Sequence, residues 1–280
     1  MDKVTICKSE TIDLKSTLDG GQAFRWHGTE DSYRGVIENK VYIIFREGNL
    51  INAKCMNSQI DRGDLLKIQR YLGIDFNLDN FTKKYDNNNY IRKLIKQNKG
   101  LRILKQDPWE SIVSFITSSV SNISKIKKNI NELCVLNGNK IGEGEYDYIF
   151  PKDIEIVDIG EAELRKLGFG FRAPYLIDAA MKSLNNSINM DSKNDQYEEK
   201  LSELTNIKGV GRKVADCIMT YGYGRRDTFP VDRWVRKGLI DNLGYSSRLS
   251  NDKLSELAQK KFKNDSAYIQ QYIFYGEKTS

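Results

Sequence analysis

The chain has 280 residues, 44 basic against 38 acidic, for a formal net charge of +6. That length supports a sizeable core and two or three subdomains, and the modest basic excess permits a polyanionic partner without demanding one. No apolar run approaches the roughly 20 residues that span a bilayer, and "MDKVTICKSETIDL" lacks the apolar block of a signal peptide. The four cysteines (Cys7, Cys55, Cys134, Cys217) form no CxxC pair and His27 is the single histidine. This usage argues against zinc, iron–sulfur and disulfide frameworks and fits a reducing cytosol.

The first third reads mainly as strand. "YRGVI-ENK-VYIIFREGN" is two apolar runs joined by a polar turn, a hairpin, and "LINAKC" adds a further strand. From Ile60 the period changes to helix, through "IDRGDLLKIQRYLGI" and "NYIRKLIKQNKGLRIL". "DPWESIVSFI" opens on Asp107 as cap, Pro108 at the first helical position and Glu110 at the capping-box position. An apolar stripe runs from Trp109 through Ile112, Ile116, Val120, Ile123, Ile126 and Ile130 to Leu133. The small polar residues of "SSVSN" predict a break, with Asn122 capping a second helix. "LNGNKIGEGEYDYIFPKD" reads as loop, "EAELRKLGFGFRAPYLIDAAMKSL" as helix, glycine turn and helix, and "NNSINMDSKNDQ" as a polar connector. The last helix is "DSAYIQQYIFYGEK".

The chemistry concentrates in "LTNIKGVGRKVADC", Leu204 to Cys217. A helix, a tight turn carrying Gly209 and Gly211, and a second helix give a helix–hairpin–helix over about 197–222. Amides of Gly209, Gly211 and Arg212 at a helix N-terminus suit a phosphate, with Lys208 and Arg212 adding charge. Such a grip reads no base edge. The same turn also reads as an ordinary helical corner with glycine as C-cap. Lys213 stands in the first turn, where the helix dipole disfavours a cation. A free lysine is neutral only about once in 2,500 at pH 7. A helix N-terminus, burial and nearby cations lower its pKa, the conditions for a Schiff-base nucleophile, although most lysines are plain surface groups. Asp232, after "TFPV", is either a simple helix cap or a catalytic carboxylate.

"LTNIKGVGRKVADC" followed by "FPVD" resembles the helix–hairpin–helix, Gly/Pro-rich, aspartate-containing superfamily of DNA glycosylases. "GGQAFRW", "DPWESIVSFITSS", "LRKLGFGFRAPY" and "YIQQYIF" occur in the order found in 8-oxoguanine DNA glycosylase/AP lyases, in a bacterial, clostridial-like branch. The resemblance covers nearly the whole chain. It implies an α+β protein: an N-terminal antiparallel β-sheet domain with flanking helices over 1–95, then a helical glycosylase domain over 96–280. It implies double-stranded DNA containing oxidised guanine as partner, a monomer, no metal and no cofactor, and a cytoplasmic, nucleoid-associated location in a prokaryote.

Residue by residue, the resemblance makes Lys213 the nucleophile at C1′ and Asp232 the carboxylate that stabilises charge developing on the sugar. Gly21 would accept a hydrogen bond from N7–H of the extruded base through its carbonyl. Gln270 would read the Watson–Crick edge, with Phe274 and Cys217 covering the two faces; a register slipped by one would use Gln271 and Tyr275. Asn122 belongs to the segment that fills the vacated space, where Val120 and Ser121 replace family asparagines. Lys125 stands for an arginine that reads the orphaned cytosine, Arg172 for a second reader, Phe171 for a tyrosine wedge, and Trp234 for a histidine near the phosphate. These departures imply weaker preference for cytosine opposite the lesion. A glycosylase for another damaged base and a non-catalytic DNA-binding module are the alternatives.

Overall fold

The computed structural model describes residues 3–191 and 196–279; the polar connector expected at 185–196 lies partly outside them. Five antiparallel strands, β1 (Lys3–Lys8), β2 (His27–Thr29), β3 (Ser32–Ile37), β4 (Lys40–Glu47) and β5 (Leu50–Cys55), form one sheet in the order β1-β5-β4-β3-β2. The expected hairpin is β3–β4, closed at Ile37 opposite Lys40. Thirteen helices complete the described residues. They are α1 (Leu14–Leu18), α2 (Arg62–Tyr71), α3 (Leu78–Lys84), α4 (Asn89–Gln97), α5 (Pro108–Thr117), α6 (Ile123–Asn137) and α7 (Asp153–Lys166). There follow α8 (Ala173–Leu184), α9 (Tyr197–Thr205), α10 (Arg212–Tyr221), α11 (Arg233–Leu243), α12 (Asn251–Phe262) and α13 (Ser266–Thr279). The architecture is α+β, as the sequence predicts.

The helix caps act where they are expected, although the Glu110 side chain pairs with Arg25 instead of closing a capping box. Asp107 accepts from the Glu110 amide (2.9 Å) to start α5, and Asn122 accepts from the Lys125 amide (2.9 Å) to start α6. The break between them falls at Ser118–Asn122, and there the apolar stripe fails: Val120 is 90% exposed. Helix α4 ends at Gln97 instead of continuing to Leu104, because residues 101–106 are cross-linked to another segment. The buried Gln22 side chain donates to Arg102 O (2.7 Å) and accepts from the Leu104 amide (3.0 Å); its own carbonyl accepts from Gln106 Nε2 (2.7 Å). Helices α1, α3 and α12 have no counterpart among the predicted elements.

Two apolar cores result. One lies under the sheet and contains Leu14, Trp26, Tyr42, Ile68 and Leu72. The other lies among the helices and includes Phe81, Ile91, Leu94, Ile116, Ile218 and Tyr272. The segment "GGQAFRW" joins them: Phe24 enters the helical core, while Trp26 enters the sheet core and donates to the Tyr71 hydroxyl (2.9 Å). Arg25 crosses the same junction, buried, bonded to Glu110 (3.1 Å) and to the Tyr148 carbonyl. Gly21 is thereby held against the helical part rather than on a free loop.

Candidate active site

The hairpin between α9 and α10 is tight. Gly209 has φ +76°, and a Cβ there would collide with the Tyr175 ring, so glycine is required twice over. The Lys208 amide donates to Asp178 on α8 (2.8 Å), which pins the hairpin, while the Lys208 side chain stays exposed. Amides of Gly209, Gly211 and Arg212 take no acceptor among the described residues, so the N-terminus of α10 keeps open donors. The Arg212 side chain departs from expectation. It turns back to Gln259 (3.0 Å) and Glu256 (3.3 Å) and lies over the Tyr197 ring, because α12 offers acceptors that the hairpin lacks. Its guanidinium therefore braces α10 against α12 and is not a free phosphate clamp.

Lys213 is half-buried in the first turn of α10, and Cys217 is buried one turn later on the same side. Burial pushes the Cys217 thiol up to about 11, the neighbouring Lys213 amine pulls it down, and the carboxylates of Asp216 and Asp232 push it up. Lys213, Cys217 and Asp232 thus share one electrostatic neighbourhood, and Cys217 presents a neutral thiol at neutral pH. Buried Phe229, Pro230 and Val231 lead the chain to Asp232. Asp232 Oδ1 accepts from the amides of Trp234 (3.0 Å) and Val235 (2.9 Å), capping α11, while Oδ2 has no partner among the described residues. Cap and functional carboxylate are compatible readings of one residue.

Gly21 and α13 carry the remaining residues that the resemblance assigns to the base. Gly21 has φ +89°; a Cβ there would stand 3.0 Å from Ile123 Cδ1 and 3.5 Å from the Phe274 ring. Its backbone therefore faces Phe274 directly. Gln270, one turn before Phe274, is buried with Oε1 unpartnered. Gln271, also buried, accepts from the Tyr221 hydroxyl (2.6 Å) while its own Nε2 is unpartnered; Gln270 stands one helical turn before Phe274. A buried acceptor without a donor is costly, and is expected where a ligand supplies one. Lys278, which the sequence reading missed, belongs to the same face. Its amine lies 5.7 Å from the Phe274 ring centroid, burial lowers its pKa, and it senses Asp232. The i+4 spacing from Phe274 was the available signal.

The remaining sequence-selected residues lie around this group. Asn122 spends its side-chain oxygen on the α6 cap; Lys125 is exposed in the first turn of α6. Trp234 is half-buried with the Arg233 guanidinium 4.6 Å from its ring. Phe171 is half exposed. Arg172, expected to point at an orphaned base, is 5% exposed and bonded to loop carbonyls, because residues 119–120 present acceptors beside it. No three His, Cys, Asp or Glu side chains among the described residues gather to hold a metal ion. A cavity of about 460 Å³ between Val36, Tyr71 and Tyr223 shares no residue with the group around Lys213.

Comparison with known proteins bears on this arrangement. Residues 4–112 match the N-terminal domain family of 8-oxoguanine DNA glycosylases. The N-glycosylase/DNA lyase of Saccharomyces cerevisiae is 33% identical, covering 92% of this chain and 74% of the yeast protein. The structure of MBOgg1 in complex with a low-affinity DNA ligand superposes with a TM-score of 0.90 at 33% identity, covering 99% of this chain and 95% of that one. The Clostridium acetobutylicum 8-oxoguanine glycosylase/lyase, bound to duplex DNA with cytosine opposite 8-oxoG, gives 0.89 at 30% identity, covering 96% and 92%. The similarity runs through both the sheet and the hairpin that carries Lys213. The chain belongs to the family of 8-oxoguanine DNA glycosylases, the N-glycosylase/DNA lyases.

Proposed function

We propose that this protein is a base-excision repair glycosylase that removes 8-oxoguanine from duplex DNA and then cleaves the strand as an AP lyase. The observation that carries it is the grouping of Lys213, Cys217 and Asp232 at the open N-terminus of α10, with the unpartnered Gln270 on α13. The hairpin amides hold backbone phosphate without reading sequence, so binding falls steeply with salt. The extruded base lies between Phe274 and Cys217. Gln270 meets its Watson–Crick edge, and the Gly21 carbonyl accepts from N7–H. Guanine carries a bare acceptor at N7, so the same carbonyl repels the undamaged base.

Lys213 Nζ attacks C1′, the C1′–N9 bond breaks, and the base departs with its electron pair and takes up a proton. Asp232 stabilises the positive charge on the sugar through its free Oδ2. The ring-opened Schiff base then loses a C2′ proton and expels the 3′ phosphate by β-elimination. The protein acts as a monomer on the cytoplasmic nucleoid. Borohydride trapping on an 8-oxoguanine duplex tests the reading. The native chain should yield a covalent protein–DNA adduct and Lys213→Gln none; an adduct that persists in Lys213→Gln, or a native chain that forms none, overturns it.

A further inference from the structure

Gly21 sits in segment 19–26, which leaves α1 after Leu18 and enters β2 at His27. Gly20 and Gly21 are adjacent there, and glycine is the least constrained backbone type. The chain just after Gly21 is fixed by Gln22, whose side chain and carbonyl are tied to residues 102–106. The anchor just before it comes from α6. Lys127 Nζ donates to Asp19 Oδ1 (2.5 Å) and to the Trp26 carbonyl (3.0 Å), so one amine joins the two ends of the segment. The Lys127 side chain is 20% exposed and that of Asp19 41%, so the pair is partly desolvated and stronger than an ion pair in open solvent.

Lys127 is the middle of three α6 residues at four-residue spacing. Ile123, one turn earlier, lies where a Cβ on Gly21 would meet it at 3.0 Å. Asn131, one turn later and buried, donates from Nδ2 to the Phe24 carbonyl (3.4 Å), and its Oδ1 pairs with His27 Nε2 (3.3 Å). The same side of one helix thus touches the segment at its start, at Gly21 and at its end. A second face of α6, with Ile126, Ile130 and Leu133, enters the helical core and holds the helix itself in place.

We infer that Lys127 is a positioning residue for lesion recognition: by tying both ends of segment 19–26, it fixes the Gly21 carbonyl where the base is to meet it. The requirement is geometric. A carbonyl selects a protonated N7 over a bare one only while it stays at hydrogen-bond distance, and a misplacement of about 1 Å can cost about 100-fold in rate. Two neighbouring glycines do not hold such a position by themselves, so the restraint is supplied from a helix.

This inference rests on the proposed role of Gly21, and the experiment separates the two. Backbone NMR order parameters of Gly20 and Gly21 in the DNA-free full chain read the brace without any substrate. They should fall from about 0.85 toward about 0.6 in Lys127→Met and in Asp19→Ala, and unchanged values overturn the inference. Single-turnover excision of 8-oxoguanine from a duplex should fall about tenfold in each variant. Borohydride trapping on a preformed abasic site, which offers Gly21 no base, should stay within about twofold of native. The double variant should lose no more than either single one, because both remove the same contact. Lys127→Arg keeps donors for both acceptors and should recover excision to within about threefold of native. Asp19→Ala changes only a partly exposed side chain and carries the test if Lys127→Met does not fold. Excision by Lys127→Met within about twofold of native, additive losses in the double variant, or an equal loss of abasic-site trapping each overturn the inference. A native chain that excises nothing fails the glycosylase reading instead, with the order parameters still deciding the brace.

Discussion

The segment around Gly21 and the loops around Val120 and Phe171 meet near Ile123, yet they are built in opposite ways. Around Gly21, the groups are enclosed before any DNA is present. Gln270 and Cys217 are buried, Phe274 packs over Gly21, and Gln22 locks the segment to residues 102–106. On the other side, Val120 and Phe171 stand in solvent, and rigidity comes from polar bonds beneath them. In the proposed function these groups would act at C1′, and packing gives donors and acceptors whose positions do not reorganise during reaction. Exposed apolar side chains such as these gain contacts only when a partner covers them.

Asp232 offers the sharpest way to break the lesion side. Asp232→Asn keeps an N-cap acceptor, so the fold should persist with a stability loss below about 1 kcal/mol. Excision should fall by about 10²–10³, because a neutral amide does not stabilise charge on the sugar. Rapid-quench excision beside a thermal melt checks this; near-native excision would reduce Asp232 to a helix cap. Gly21→Ala comes next. It meets both a φ of +89° and the Ile123 contact at 3.0 Å, so the carbonyl must shift. Lesion excision should drop by about 10- to 100-fold, with borohydride trapping on a preformed abasic site largely kept. Equal loss on both substrates would mean that Gly21 holds the fold, not the base.

A smaller effect concerns stability under the catalytic helix. Asp216 lies between Lys213 and Cys217 in sequence but points the other way, accepting from the Tyr197 hydroxyl (2.8 Å) and the Ser255 hydroxyl (3.3 Å). Burial raises its pKa from the ordinary value to about 7, against the lowering by Tyr197, Arg212 and Ser255. A raised folded value means that this contribution to stability is complete below the unfolded pKa near 4 and is lost as pH rises through about 7. The native melting temperature should therefore decline between about pH 4 and 7 by several degrees and level off above that, at roughly 2–4 °C per kcal/mol. Asp216→Asn should flatten that decline, as read by differential scanning calorimetry. An unchanged slope would assign the pH dependence elsewhere.

Much of this site is legible along the chain because its signals are local. The Asp107, Asn122 and Asp232 caps each act within three residues, and the two glycines of "KGVG" announce a turn with free amides. Helix α12 was hidden by its polar face, although Leu254, Ala258 and Phe262 repeat at four-residue spacing and Ser250 caps it. Helices α1 and α3 span 5 and 7 residues, too short for a periodic pattern to stand out. The reach of long side chains was not legible at all. Arg172 and Arg212 carry donors that settle on whichever carbonyl or carboxylate lies within several ångströms, and those acceptors come from other elements.

By itself, then, the sequence determined the longer elements with strong local signals, the hairpin with its open amides, and which lysine stands at the start of α10, since each depends on residues a few positions apart. Tertiary structure alone decided that Gly21 meets Phe274, that Gln270 and not Gln271 keeps an unpartnered oxygen, and that Arg172 serves the loops. Those outcomes depend on contacts between segments far apart in the chain, which packing sets and no local spacing encodes.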